Sequence, residues 1–110
     1  MPISAFFDTL PMLDLPIPED VVTSRAIASD QGLMAMFFIH KTVELPEHAH
    51  KGQWGTVIEG QLDLTVEGET TVYTPGMNYD IPSGARHSAV AHEGSAILDI
   101  FEEADRYPLR

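Results

Sequence analysis

The chain's 110 residues leave room for one domain and one hydrophobic core. With no cysteine it cannot build zinc–thiolate sites, iron–sulfur clusters or a thiolate nucleophile, so any metal must be held through nitrogen or oxygen. Six Lys plus Arg against 17 Asp plus Glu give a formal charge of -11, which repels nucleic-acid phosphates and anionic membranes and predicts neither as a partner.

Residues 1–20 carry no Lys or Arg, so the basic start of a secretory signal is missing, and no apolar run approaches the ~20 residues of a spanning helix. A cytoplasmic location is expected, in keeping with the absent cysteines. Pro2, Pro11, Pro16 and Pro18 interrupt an otherwise apolar stretch. They permit one short helical turn around Ser4–Leu10 and otherwise predict an extended arm. So apolar an arm needs a surface, either its own barrel or a neighbouring subunit, and exchange of such an arm is one route to the homodimer expected here.

Residues 21–110 read as a single all-β domain. Val21–Ser29 and Leu33–Val43 form a hairpin about Asp30-Gln31-Gly32. Met34, Met36, Phe38 and His40 share one face of its second strand, Leu33, Ala35, Phe37 and Ile39 the other. Trp54–Glu59 and Gln61–Val66 flank Gly60. Thr70–Thr74, Met77–Ile81, His87–Ala91 and Ser95–Glu103 follow, separated by Pro75-Gly76, Pro82-Ser83-Gly84 and Glu93-Gly94. Turns every eight to twelve residues without an amphipathic helix predict an antiparallel sandwich or barrel.

Chemistry concentrates in Pro46-Glu47-His48-Ala49-His50-Lys51-Gly52-Gln53. Two histidines one residue apart on an extended segment project from the same face and can converge on one cation. Gln53 can add an amide oxygen if Lys51-Gly52 forms a bulge or turn, and His87, at the start of a strand able to pair beside the first, is the candidate fourth ligand. Neutral imidazoles with an amide oxygen suit one divalent transition ion, Zn, Ni, Fe, Mn or Cu.

These spacings resemble those of the small single-domain cupins. In their first motif His48-Ala49-His50 and Gly60 match, with Gln53 where a glutamate normally stands; in the second, Gly76, Pro82, Gly84 and His87 match. The resemblance covers about residues 33–101. It implies a conical antiparallel β-barrel, the double-stranded β-helix or jelly roll, with the metal inside near the wide mouth and held by His48, His50, Gln53 and His87. Thr42 stands in place of the opening glycine, the gap from His50 to Gln53 is one residue short, and Ala91 replaces the closing asparagine. Glutamine for glutamate leaves the ion its full double charge, so the site should favour small anionic organic ligands.

In that frame Gln53, Gly55 and Val57 face inward, and Trp54 faces the outer sheet or a dimer seam. His40 either looks into the barrel or is a hydrogen-bonded histidine near the rim. Tyr79 either reaches the cavity or packs. Asp99, within the apolar alternation of Ile97 and Phe101, must be partnered or protonated, and Arg106 is its candidate partner. Asp-x-Phe followed by an arginine is similar to the tail of the pectin-degradation cupins, which act on unsaturated uronates with a His, His, Gln, His metal set.

Three readings of function follow. The first is a metalloenzyme whose ion polarises a small oxygenated anion such as a sugar acid, with Asp99, His40 and Arg106 as catalytic candidates for an isomerase, ring-opening or lyase step, or a dioxygenase using the same ligands. The second is a non-catalytic small-molecule-binding barrel, and the third a barrel whose metal is structural. Met34, Met36, Phe38 and Phe101 are expected to line the interior.

Overall fold

The structure, a computed structural model, describes residues 4–110. Nine strands follow a short 3-10 turn at Ala5–Thr9: β1 (Val22–Ala28), β2 (Leu33–Ile39), β3 (Val43–His48), β4 (Gln53–Glu59), β5 (Leu62–Val66), β6 (Glu69–Tyr73), β7 (Asn78–Ile81), β8 (His87–Ala91) and β9 (Ala96–Phe101). They form two antiparallel sheets, one ordered β1-β2-β9-β4-β7 and the other β3-β8-β5-β6. Alternating apolar residues of both sheets meet in a shared core, as a two-layer β architecture requires. Val57, Leu62, Leu64, Ile81 and Ile97 are buried there. No helix of the described residues is long and apolar enough to cross a membrane.

The expected strand Leu33–Val43 is two strands. It breaks at His40-Lys41-Thr42, where the chain leaves the five-stranded sheet and enters the other as β3. Its phase is also corrected. Val22↔Ile39, Ser24↔Phe37 and Phe37↔Ile97 pair across the ladder, so Phe37 and Ile39 turn inward while Met34, Met36 and Phe38 lie on the outer face. Of the four residues expected to line the interior, only Phe101 does.

Proline keeps the arm out of regular structure, yet its backbone is well engaged. Ser24 Oγ accepts from the Leu13 N–H at 3.1 Å, and Ala26 donates to the Pro11 carbonyl at 2.8 Å. The C-terminal tail closes over it through the Leu13↔Leu109 bridge and through Arg110, which pairs with Glu19. Leu13 is 1% exposed. The arm therefore lies on its own barrel here, and Leu15 and Ile17 join the core cluster.

Two glycines are needed where they stand. Gly60, between β4 and β5, has φ of 83°, and a Cβ there would also run into Ser95, whose Oγ accepts from the Gln61 N–H. Gly55, in the middle of β4, leaves the space taken by Asp99 and the Tyr79 phenol.

Candidate metal centre

β3 and β8 pair Val43↔Ala91, Leu45↔Ala89 and His48↔His87, so three steps along β3 match two along β8. The extra residue is a bulge at Pro46-Glu47, where proline has no N–H to lose from the ladder. Its consequence is a change of phase: Val43 and Leu45 face the interior, and so does His48, which unbroken alternation would have turned outward. This bulge precedes the His pair, and the departure expected at Lys51-Gly52 is a bend between β3 and β4. Those two residues carry the chain across to the five-stranded sheet, which Gln53 enters as the first residue of β4.

The three imidazoles form one cluster. Ring centroids are 4.2 Å apart for His48 and His87, 4.8 Å for His50 and His87 and 5.2 Å for His48 and His50. Each Nδ1 lies against a backbone carbonyl: Pro46 for His48 at 2.8 Å, Lys51 for His50 at 2.7 Å, Ala85 for His87 at 2.9 Å. A carbonyl only accepts, so the ring proton sits on Nδ1 and the lone pair on Nε2. The Nε2 atoms of His50 and His87 are buried with no hydrogen-bond partner among the described residues, and one ligating nitrogen from each of the three rings falls within 4.8 Å of the others. Buried nitrogens left unpaired on carbonyl-oriented rings are what a transition ion requires, and the donor set fits one. Burial holds His50 and His87 below the ordinary imidazole value against the raising effect of those carbonyls, and repulsion from Arg106 and the other rings adds to it. Those two rings are therefore neutral, as ligation needs.

Beside them lies an acid–amide–phenol group. Asp99 is 6% exposed, and its Oδ1 accepts from Tyr79 Oη at 2.5 Å and from Gln53 Nε2 at 2.9 Å. Burial raises its pKa from 3.8 to about 6, against the lowering effect of those two donors. Burial, with the neighbouring Asp99 carboxylate, pushes the Tyr79 phenol well up, so it stays a donor. Gln53 spends its amino group on Asp99, which leaves its carbonyl oxygen as the atom suited to an ion.

A cavity of about 480 Å³ between the sheets is bordered by His48, His50, His87, Gln53, Asp99, Tyr79 and Arg106. Arg106 is not the partner of Asp99. Its guanidinium lies 4.4 Å from the Tyr107 ring centroid and 6.0 Å from that of Phe101, and its Nε is buried without a hydrogen-bond partner among the described residues. His40 is outside the site: it is exposed beyond the end of β2, and its Nε2 lies 2.7 Å from Thr23 Oγ1. Glu103 was missed by sequence reasoning. Its Oε1 accepts from the Lys51 N–H at 2.6 Å and stands 3.9 Å from His50 Nδ1, so the tail braces the ligand loop; nothing in the spacing of acids near the C-terminus singles it out.

Two antiparallel sheets closing on a three-histidine centre define a cupin-type barrel. The family model for the cupin domain (Cupin_2) matches residues 36–101, and the chain belongs to that family. Among solved structures it is similar to an RmlC-like cupin from Shewanella frigidimarina, with 23% identity, TM-score 0.78 and coverage of 93% of this chain and 91% of that one. KdgF from Halomonas sp. is 23% identical with TM-score 0.72, covering 94% and 90%. A Bacillus subtilis oxalate decarboxylase is 20% identical with TM-score 0.71, covering 94% of this chain and 30% of that longer one. A search of curated proteins returned no match.

Proposed function

We propose that this cupin is a metal-dependent enzyme that acts on a small oxygenated anion by moving a proton, in an isomerisation, ring-opening or lyase step. His48, His50 and His87 would hold a divalent ion with the Gln53 carbonyl oxygen as a fourth ligand. Such an ion supplies Lewis acidity toward a carbonyl or carboxylate. Arg106 adds positive charge at the same end of the cavity and orients the anion.

The observation that carries the reading is Asp99. Both of its donors meet Oδ1, so the proton of the neutral acid sits on Oδ2, and with a pKa of about 6 the group exchanges it readily near neutrality. A purely structural site has no need of a buried acid in that state beside its ligands. The Mn(II) centres of Bacillus subtilis oxalate decarboxylase support a divalent ion and a small carboxylate in a barrel of similar fold. The test is to load the protein with Mn, Ni or Zn, incubate it with keto acids and an unsaturated uronate in deuterated buffer, and follow turnover and deuterium uptake by NMR. Conversion or exchange that disappears in Asp99→Asn supports the enzyme. Ligands that bind and return unchanged with every metal mark a binding barrel and overturn it.

A further inference from the structure

The interior is laid out in rows across the strands, and its chemistry changes from row to row. In the four-stranded sheet the first row is Val66, His87 and His48, the second Leu64, Ala89 and Leu45, the third Leu62, Ala91 and Val43. The five-stranded sheet runs in step. Gln53 pairs with Phe101, then Gly55 with Asp99, then Val57 with Ile97. The His50 and Phe101 rings, 5.8 Å apart, fasten the two first rows together. Polar groups therefore occupy one end of the cavity, and beyond Asp99 and Tyr79 the walls are aliphatic. From Ala89 to Ala91 that aliphatic stretch is about 7 Å long at the rise of an extended strand.

The space exists because Ala89 and Ala91 are small where the facing positions are not. Leu15 and Ile17 of the arm complete the lining and share a cluster with Val22 and Val43. Among the described residues, besides Tyr107 next to Arg106, only Glu44 and Glu47 add further polar side chains to the cavity; both are exposed on β3, and Glu47 is engaged by Arg86 at 2.7 Å. The part of a sugar acid that reaches past Asp99 and Tyr79 would lay its hydroxyls against Leu62, Leu64 and Ile97, which offer no side-chain hydrogen-bond partner, at a cost for each buried hydroxyl. A hydrocarbon body meets walls that favour it.

We propose that the ligand of this site is a monocarboxylate with a hydrocarbon body, its carboxylate at the His48, His50, His87 and Arg106 end and its tail in the pouch leading to Leu62 and Ala91. This rests on the reading that the histidine end receives an oxygenated anion, and it replaces the sugar acid that the sequence resemblance suggests.

Calorimetry with acetate, butanoate, hexanoate, octanoate and galacturonate, on metal-loaded and metal-free protein, tests it. The expected result is affinity that rises about fourfold for each buried methylene until the pouch is full, with galacturonate no tighter than acetate. A flat series, or galacturonate binding more tightly than octanoate, overturns the proposal. Acetate binding that is indifferent to the metal instead overturns the parent reading, and a rising series would still support the tail pouch. Ala91→Leu should remove the gain from longer tails while leaving acetate unchanged. Ile17→Ser, on the arm and outside the strands, should weaken octanoate several-fold, and a thermal melt of the variant separates the lost lining from the lost core contact. Octanoate affinity unchanged in both variants places the tail elsewhere and overturns the proposal.

Discussion

Tyr79 and Asp99, twenty residues apart on strands that both flank β4, share a hydrogen bond of 2.5 Å over the bare backbone of Gly55. Three features of the fold are needed for it. The inward phase of β7 and of β9 aims both side chains at the same point, and the missing Cβ of β4 leaves room for them to meet. The result is a buried acid whose protonation is set by its surroundings rather than by a counter-ion, close to neutral imidazoles and to Arg106.

That environment makes stability depend on pH in a definite direction. Asp99 has a folded-state value of about 6 against 3.8 for the free group, so between those limits the folded protein keeps a proton that the unfolded chain has released. The stability this confers is complete below the unfolded value and is lost as pH rises through about 6. The amide introduced by Asp99→Asn retains an acceptor for Tyr79 and Gln53 without the charge. The variant should exceed the wild type by about 3 kcal/mol above neutrality, with the gap closing toward about pH 4. Urea melts across that range check it, and a pH-independent difference would contradict the assigned protonation.

Gly55→Ala should be among the most damaging single-methyl additions to the chain. The new Cβ would overlap both Asp99 Oδ1 and the Tyr79 phenol, neither of which can retreat without losing the other. A cost of about 3 kcal/mol is expected from overpacking a filled core. Gly68→Ala, at an exposed turn with open space around it, tests only the left-handed backbone (φ 82°) and should cost less. Thermal melts of the two variants separate crowding from backbone strain.

Much of this site is legible in the sequence, and the parts that are not share a physical cause. His48, His50, Gln53 and His87 stand at spacings that bring them to one cavity, and the period-two pattern of Ile97, Asp99 and Phe101 puts Asp99 inside. The break after Ile39 is illegible because His40-Lys41-Thr42 contains neither glycine nor proline to announce a turn. The phase of β2 is illegible because Met34, Met36 and Phe38 are as apolar as Phe37 and Ile39, so hydropathy cannot say which set is inside. Cross-strand pairing decides it, and with it the exclusion of His40. The bulge at Pro46 acts by shifting register, which a single strand's sequence does not display. Arg106 follows the last strand by five residues, and only the path of the tail shows that it stacks on Tyr107 rather than reaching Asp99.

Metal occupancy should be lost in acid while the barrel stays folded. Ligation uses the neutral rings, and burial holds the His50 and His87 values below the ordinary imidazole value, so bound metal should persist into mildly acidic solution and be lost on further acidification as protons compete for the rings. His87→Ala should abolish stoichiometric binding at neutral pH. The aliphatic rows that carry the core do not depend on His87, so circular dichroism should still report the β fold. Elemental analysis after dialysis at a series of pH values checks the first expectation. Full metal content in His87→Ala would remove that histidine from the ligand set.

The outer face of the five-stranded sheet predicts a homodimer. Cross-strand neighbours Ile27, Met34, Ile100 and Trp54 form one apolar row, and half-buried Leu98 continues it in the next, where Met36 is already covered by the chain itself. Ile27, Ile100 and Trp54 are 46%, 42% and 39% exposed on a chain of charge -11. A second copy would offer the same uncharged patch and could meet it by two-fold symmetry. Light scattering should give twice the chain mass, and Trp54→Glu should halve it without disturbing metal binding on the opposite side of the sheet. Trp54 is the only tryptophan, so its emission should shift to longer wavelength on dilution as the dimer parts. A monomer at all concentrations, with unchanging emission, would leave the row as plain surface.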